Sequence, residues 1–349
     1  MKKVAVVISP NYKDYAKKYL AACLSSLRSQ TFIDFDLYLI DNETSEESFA
    51  FLRQEAPEAI IKRLNDNAGF AGGNNAALHE IIEKNYEYAV LFNMDTEIEP
   101  KALESLVKAM DSDIKAGAIQ AALLLHPDRH LLNSVGNISH FLGFGYCLGY
   151  REPLSTLPKD VCDIFYPSGA AVILRVKALK EVGLFDEEMW MYNEDEDLGW
   201  RLWLRGWTCR LEPRALVFHN YEFARSVKKY YWMDRNRLIT IFKNYHCLTI
   251  VLIIPALVLM EFGLGLFALK SGWWREKLRV WAYFLSPKTW RYLIKARRAI
   301  QKTRLVKDRE IIKMISGHIW YQEIDDWKLR MINPFFALYW RLVKFLIRW

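Results

Sequence analysis

Apolar positions in the first 110 residues follow two alternating periods. Residues 4–8, 35–40, 60–64 and 88–92 are short β-rich runs, whereas 19–29, 46–54 and 75–84 show helical apolar spacing. Strands alternating with helices predict a parallel sheet covered by helices on both faces. In such sheets a ligand sits beyond the carboxyl ends of the strands. Each run here stops in polar residues: Ser9-Pro10-Asn11, Asp41-Asn42, Asn65 to Asn67, and Asn93-Met94-Asp95. Loops are polar anyway, so any single end means little; four in sequence point to one shared ligand site.

A second group starts near Asp163. Pro167-Ser168-Gly169-Ala170-Ala171 leads into a strand at 172–174, a helix, and Gly183-Leu184-Phe185-Asp186. Glu194-Asp195-Glu196-Asp197 then opens an amphipathic helix that runs through Leu204. Acidic residues in a first turn suit the helix dipole. Four in succession repel one another, however, and capping needs only one or two. The cluster therefore suggests a metal, a cation or catalysis, with a solvated helix start as the plain alternative.

Near the end of the chain the pattern changes again. Residues 248–269 form a 22-residue apolar stretch broken only by Glu261, long enough to span a bilayer. Five Lys or Arg lie in residues 228–247 and five in 270–289, so the positive-inside rule names no side. Beyond it, Trp273, Trp274, Trp281 and Trp290 precede a dense Arg/Lys set at 291–307, and residues 335–349 interleave aromatic and aliphatic side chains with Arg341, Lys344 and Arg348. Such segments suit helices lying in the headgroup layer over anionic lipid. A helical subdomain or an oligomer interface would also use them, while nucleic-acid binding has no place for the apolar stretch.

Charge sharpens this division. The 349 residues carry 48 basic and 41 acidic side chains, net +7. Residues 245–349 hold 19 basic and 7 acidic, net +12, and eight of the 13 Trp; the remainder, 29 basic against 34 acidic, is net −5. Five widely separated Cys with no C-x-x-C pair exclude a disulfide framework and a zinc finger, and fit a reducing cytoplasm. The apolar run after Met1-Lys2-Lys3 is five residues long, too short for a signal peptide, and is expected to be a strand.

Several stretches, in order, resemble glycosyltransferase family 2, the nucleotide-sugar transferases of GT-A fold, and within it the bacterial rhamnosyltransferase-like branch. Leu39-Ile40-Asp41-Asn42-Glu43-Thr44-Ser45 resembles that family's VDN-S-D segment, and Asn67-Ala68-Gly69-Phe70-Ala71-Gly72-Gly73-Asn74-Asn75 its N-GFAGGNN turn. Leu91-Phe92-Asn93-Met94-Asp95-Thr96-Glu97 is similar to LLNPDT, at the D-x-D position, with Met94 where Pro is usual and Glu43 where a small residue is common. Ser168-Gly169-Ala170-Ala171 and Gly183-Leu184-Phe185-Asp186 match acceptor-side motifs. Glu194-Asp195-Glu196-Asp197-Leu198 with Arg201 and Gly206 resembles EDVDL-xx-R-xxxx-G, and His219 with Ser226, then Arg235-Asn236-Arg237, complete the series.

The resemblance implies an α/β fold: a GT-A, Rossmann-like nucleotide-sugar-binding domain over residues 1–245, with a nucleotide-sugar half at 1–110 and an acceptor half at 111–245. A mainly helical, membrane-associating region at 246–349 follows. It implies an inverting transferase using Mn2+ or Mg2+, a dTDP- or UDP-sugar donor and a lipid-linked glycan acceptor at the cytoplasmic face of the inner membrane, in O-antigen or other cell-surface polysaccharide synthesis. Pro10, Asn11, Asp41, Asn67, Gly69, Gly73, Asn74, Asn75, Asp95 and Arg235 are the expected donor-binding residues. Asp41 suits the N3–H of uracil or thymine, because a buried carboxylate needs a donor, although a helix cap is the plain alternative. The glycines allow close backbone approach, and N–H groups at a helix start favour anions. Asp95, Glu97 and His219 are the expected metal ligands, Glu97 on a longer arm. Asp195 is the expected general base, with Glu194 holding the acceptor or tuning it, and Asp197 paired with Arg201 four residues on. The closest branch implies dTDP-L-rhamnose; a UDP-hexose or UDP-N-acetylhexosamine donor, or a non-catalytic membrane-attached scaffold, are the alternatives.

Overall fold

The computed structural model describes residues 2–221, 227–319 and 327–349. Within them the chain forms two compact units. The first takes residues 2–137, 147–202 and 207–221; the second takes 138–146, 203–206, 227–319 and 327–349.

The first unit is built on one mixed sheet. Strands β1 (Val4–Asn11), β2 (Phe35–Asn42), β3 (Ile60–Leu64) and β4 (Tyr88–Phe92) pair in parallel in the order β3-β2-β1-β4, as alternation with helices requires. The crossovers are α1 (Tyr15–Arg28), α2 (Glu46–Glu55) and α3 (Gly69–Glu83). Short β5 (Thr96–Ile98) and α4 (Ala102–Ser112) lead to β6 (Ala116–Leu125) and β7 (Leu132–Ser134). β8 (Asn137–Ser139) and β9 (Gly145–Cys147) pair separately, mostly within the second unit, and β10 (Cys162–Asp163) follows in the first. β11 (Ala171–Arg175) then inserts antiparallel between β4 and β6, ending the parallel run. Helices α5 (Val176–Val182) and α6 (Glu194–Arg205) precede β12 (Thr208–His219), which is parallel to β6 and antiparallel to β5 and β10. Central strands are buried along their length, β1 and β4 among them, which is why they read as unbroken apolar runs.

One boundary differs from expectation. The glycine-rich stretch was expected as a turn with the helix starting at Asn75, yet α3 begins at Gly69. Five residues of poor helix propensity, Gly69, Gly72, Gly73, Asn74 and Asn75, are wound into helix because all are buried, and packing overrides propensity.

The second unit is helical: α7 (Val227–Asn244), α8 (Cys247–Lys270), α9 (Trp274–Leu285), α10 (Pro287–Thr303), short α11 (Asp308–Ile311) and α12 (Trp327–Leu346). Residues 227–244, expected with the catalytic part, belong here because α7 packs on α9 and α10. Within this unit Phe141 stacks on Trp340, their rings 4.8 Å apart. α8 is long and apolar enough to cross a bilayer by length and composition. It is not apolar all round: its Glu261 pairs with Arg237 of α7 and with Lys277 of α9 at 2.7 Å, and Asp234 of α7 bonds the same two cations.

Candidate active site

Parallel pairing sets Asn11, Asp41 and Arg63 side by side at the carboxyl edge of the sheet. Asp41 is fully buried. Its Oδ1 accepts from the Thr44 hydroxyl, while Oδ2 lies 3.3 Å from Arg63 Nε yet receives no hydrogen bond. Burial pushes this carboxyl above the usual range, against the Thr44 hydrogen bond and the nearby Arg63 charge. Asp41 is not the helix cap, since Ser45 accepts the Ser48 N–H at 3.1 Å and does that work. Glu43 is left-handed at φ 62°. Asn11 accepts the Ala16 N–H at 2.9 Å and donates to Ser48 Oγ at 3.4 Å, tying together the starts of α1 and α2.

Residues 67–75 form a clamp. Asn67 Oδ1 accepts the Gly69 N–H at 2.9 Å, and the Trp190 carbonyl accepts the Ala71 N–H at 3.2 Å. These two amides of the first turn, expected to be open to anions, are thus already occupied. The glycines serve close packing instead. A Cβ on Gly69 would lie 2.2 Å from the Trp190 carbonyl oxygen, and one on Gly73 would lie 2.3 Å from Pro10 Cγ. Asn74 donates to the Phe70 carbonyl, and Asn75 donates to the Phe185 carbonyl and to Glu187, both at 2.9 Å. Asn75 thereby holds the loop that leads to α6.

Asp95 follows β4 in the turn before β5 and is nearly buried. Tyr15 donates its hydroxyl to Oδ2 at 2.5 Å, and His219 Nε2 lies 3.4 Å from Oδ1. Burial alone would raise this carboxyl, but His219 and Tyr15 outweigh it and hold it below its ordinary value. His219 is the last residue of β12, opposite Thr96 of β5, and its Nδ1 meets Asn133 Oδ1 at 2.9 Å. With a cation bound, donation of Nδ1–H to Asn133 would leave the Nε2 lone pair free to ligate it beside Asp95. A carboxylate oxygen and an imidazole nitrogen so placed fit a divalent cation whose remaining ligands are phosphate oxygens or water. Glu97 does not join them. It pairs with Arg129 at 2.5 Å and lies 3.3 Å from His126 Nε2, so its charge is already met. Among the described residues no group of three or more His, Cys, Asp or Glu is gathered as a metal cage.

The acidic cluster opens α6 after a strained approach, with Trp190, Tyr192 and Asn193 all at positive φ. Asp195 is half-buried. The Glu196 N–H donates to its Oδ1 at 2.8 Å and the Gly169 N–H to its Oδ2 at 3.4 Å. Burial pushes the carboxyl up to about 6 against these two hydrogen bonds. Glu194 is buried with Oε2 unpartnered, and burial together with the Asp195 charge raises it well above the carboxylate range. Asp197 and Arg201 pair at 2.8 Å, as their spacing predicts, and Arg201 also donates to the carbonyls of Val182, Gly183 and Leu184. This pair is structural: it fixes the loop before the cluster.

Two of these groups are joined by short backbone links. The Gly169 amide touches Asp195, and the next residue, Ala170, accepts the Asn93 N–H at 2.9 Å, two residues before Asp95. Arg235 belongs to the second unit, where it stacks over the rings of Trp232, Tyr283 and Tyr231. Ser226 lies outside the described residues. Tyr15 and Asn133 escaped sequence reasoning. Neither stands in a recognisable motif, and each reaches its partner only through the fold, Asn133 across 86 positions.

Residues 6–182 match the profile of Glycosyl transferase family 2. The N-acetylglucosaminyl-diphospho-decaprenol L-rhamnosyltransferase of Mycobacterium tuberculosis is 26% identical over 236 residues, 62% of this chain and 75% of that one. The poly-beta-1,6-N-acetyl-D-glucosamine synthase of Staphylococcus aureus is 23% identical over 56% of this chain, which spans 45% of that enzyme. Among solved structures, GalNAc-T7 with UDP, GalNAc and Mn2+ superposes at a TM-score of 0.54 with 12% identity, over 70% of this chain and 48% of that one. S. aureus TarS superposes at 0.52 with 16% identity, over 98% and 55%. These two likenesses show the fold: a GT-A sheet, here carrying a helical C-terminal region.

Proposed function

Because this chain belongs to glycosyl transferase family 2, we propose that it is an inverting, metal-dependent rhamnosyltransferase that moves L-rhamnose from dTDP-rhamnose to a lipid-linked glycan. The acceptor would be an intermediate of cell-surface polysaccharide assembly, such as O-antigen, at the cytoplasmic face of the inner membrane. The rhamnosyl choice leans on the mycobacterial relative, whose acceptor is a diphospho-decaprenol sugar by name. The observation that carries the transferase chemistry is the linkage of Asp195, through Gly169 and Ala170, to the segment bearing Asp95, which in turn faces His219.

Asp41 Oδ2 lacks a hydrogen bond and is buried at the edge where a nucleoside would enter, so it accepts the pyrimidine N3–H. Asp95 and His219 would hold Mn2+ or Mg2+, which would supply positive charge against the departing diphosphate. Ionised Asp195 accepts the proton of the acceptor hydroxyl as its oxygen bonds the anomeric carbon. The bond to the diphosphate breaks on the opposite face, and the leaving group departs with the electron pair, inverting the centre. Glu194, kept neutral by burial and by its neighbour, adds no second negative charge beside the base.

A UDP-hexose or UDP-N-acetylhexosamine donor is the second reading, favoured by the N-acetylglucosamine polymer synthases among the relatives. The test is turnover of a panel of dTDP- and UDP-sugars with Mn2+ or Mg2+. Selective use of dTDP-rhamnose is expected, selective use of a UDP-sugar supports the second reading, and no metal-dependent turnover of any donor contradicts both.

A further inference from the structure

Exposed apolar surface is concentrated on the second unit. Of 27 large hydrophobic side chains exposed among the described residues, 21 come after residue 247. They form stripes. On α12, Phe335, Leu338, Leu342 and Phe345 recur at helical spacing, while Phe336, Trp340, Val343 and Ile347 are buried on the other side. Trp274, Leu278, Trp281 and Leu285 repeat the pattern on α9. Val251, Val258, Phe262, Leu266 and Leu269 carry it along α8, a helix about 36 Å long. The three helices are neighbours: Tyr339 of α12 donates to the Leu252 carbonyl of α8 at 2.6 Å, and the Trp281 ring covers Gly265.

The charge on this unit identifies what covers these stripes. The described carboxylates after residue 245, namely Glu261, Glu276, Asp308 and Glu310, each have an Arg or Lys partner. Arg275, Arg291, Lys295, Arg298, Arg341 and Arg348 remain exposed beside the apolar side chains. Apolar stripes edged with cations complement an anionic bilayer. A second copy of this chain would bring the same positive charge and be repelled.

The buried charges decide how the bilayer is met. Glu261 sits in the interior of α8, bound to Arg237 and Lys277, which also hold Asp234. If α8 crossed the bilayer, it would draw four charged side chains and parts of α7 and α9 towards the hydrocarbon. If α8 lies flat, the cluster stays on the protein side and the apolar stripe faces lipid. We propose that α8, α9 and α12 lie in the headgroup layer of an anionic bilayer, and that α8 does not cross it. This deepens the membrane-side reading given above and rests on it.

The test uses the full chain floated with vesicles of phosphatidylcholine alone, or of phosphatidylcholine and phosphatidylglycerol in equal parts. Binding should be at least about tenfold stronger with phosphatidylglycerol, and Leu342→Glu with Phe345→Glu, both at exposed positions, should weaken it at least about tenfold. Circular dichroism should show both variants folded. Depth is read in a chain with Cys147, Cys162 and Cys247 replaced by Ser, labelled with bimane at Val251→Cys, Val258→Cys or Leu266→Cys. Lipids brominated near the headgroup should quench all three sites alike. Deep quenching at 258 with shallow quenching at 251 and 266 would overturn the flat arrangement and leave membrane attachment standing. Failure to float with either vesicle, or a stable dimer in light scattering that Leu342→Glu splits, would overturn both. Donor turnover, measured without vesicles, judges the transferase reading separately.

Discussion

Asp195 carries two opposed influences: burial pushes its carboxyl up to about 6, and two backbone N–H groups resist. A base works only when ionised, so the sign is fixed. Transfer should be weak below that value and rise with pH to a plateau above it. The acid limb of kcat/KM, followed from about pH 5 to about pH 8 at saturating metal, should therefore bend near 6 rather than near 4. Asn133 makes a second prediction at this scale. If its Oδ1 fixes the His219 tautomer, Asn133→Leu should weaken Mn2+ binding about 10- to 100-fold in the presence of a nucleoside diphosphate, read by the spin resonance of free Mn2+. Single residues were unevenly legible in the sequence. Asp41, Asp95 and Asp195 stand out in the sequence at strand ends and in an acidic run, and the fold leaves each of them at least half-buried. Glu97 misled, since spacing cannot reveal that Arg129 and His126 have already claimed it.

Among the elements, β3 and β4 matched the sequence pattern to the residue, because each run is only five residues long and stops at Asn65 or Asn93. The start of α3 did not. Glycine and asparagine spell a turn locally, and only Trp190, Pro10 and Phe185 packing against them reveals a helix. The antiparallel insertion of β11 was likewise invisible, being a matter of topology rather than propensity. The charge cluster that joins α7, α8 and α9 makes a prediction for these three helices together. Glu261→Ala leaves Arg237 and Lys277 sharing only Asp234, and should destabilise the chain by about 3 kcal/mol in chemical denaturation. Glu261 as a solvated interruption of α8 would instead predict a change near zero.

At the level of the whole molecule, the net charge of +7 conceals two different sums. In the proposed transferase the acidic body would supply carboxylates for a nucleoside, a cation and a proton, and the basic, Trp-rich end the face proposed to meet lipid. The proposed transfer depends most on Asp195 as the base that activates the acceptor. The direct measurement compares wild type with Asp195→Asn for sugar transfer to a lipid-linked acceptor, with donor binding followed by calorimetry in parallel. The side chains are of equal size, so donor affinity should stay within about twofold while transfer falls about 10²- to 10⁴-fold. Transfer retained at the wild-type rate in Asp195→Asn would contradict the account.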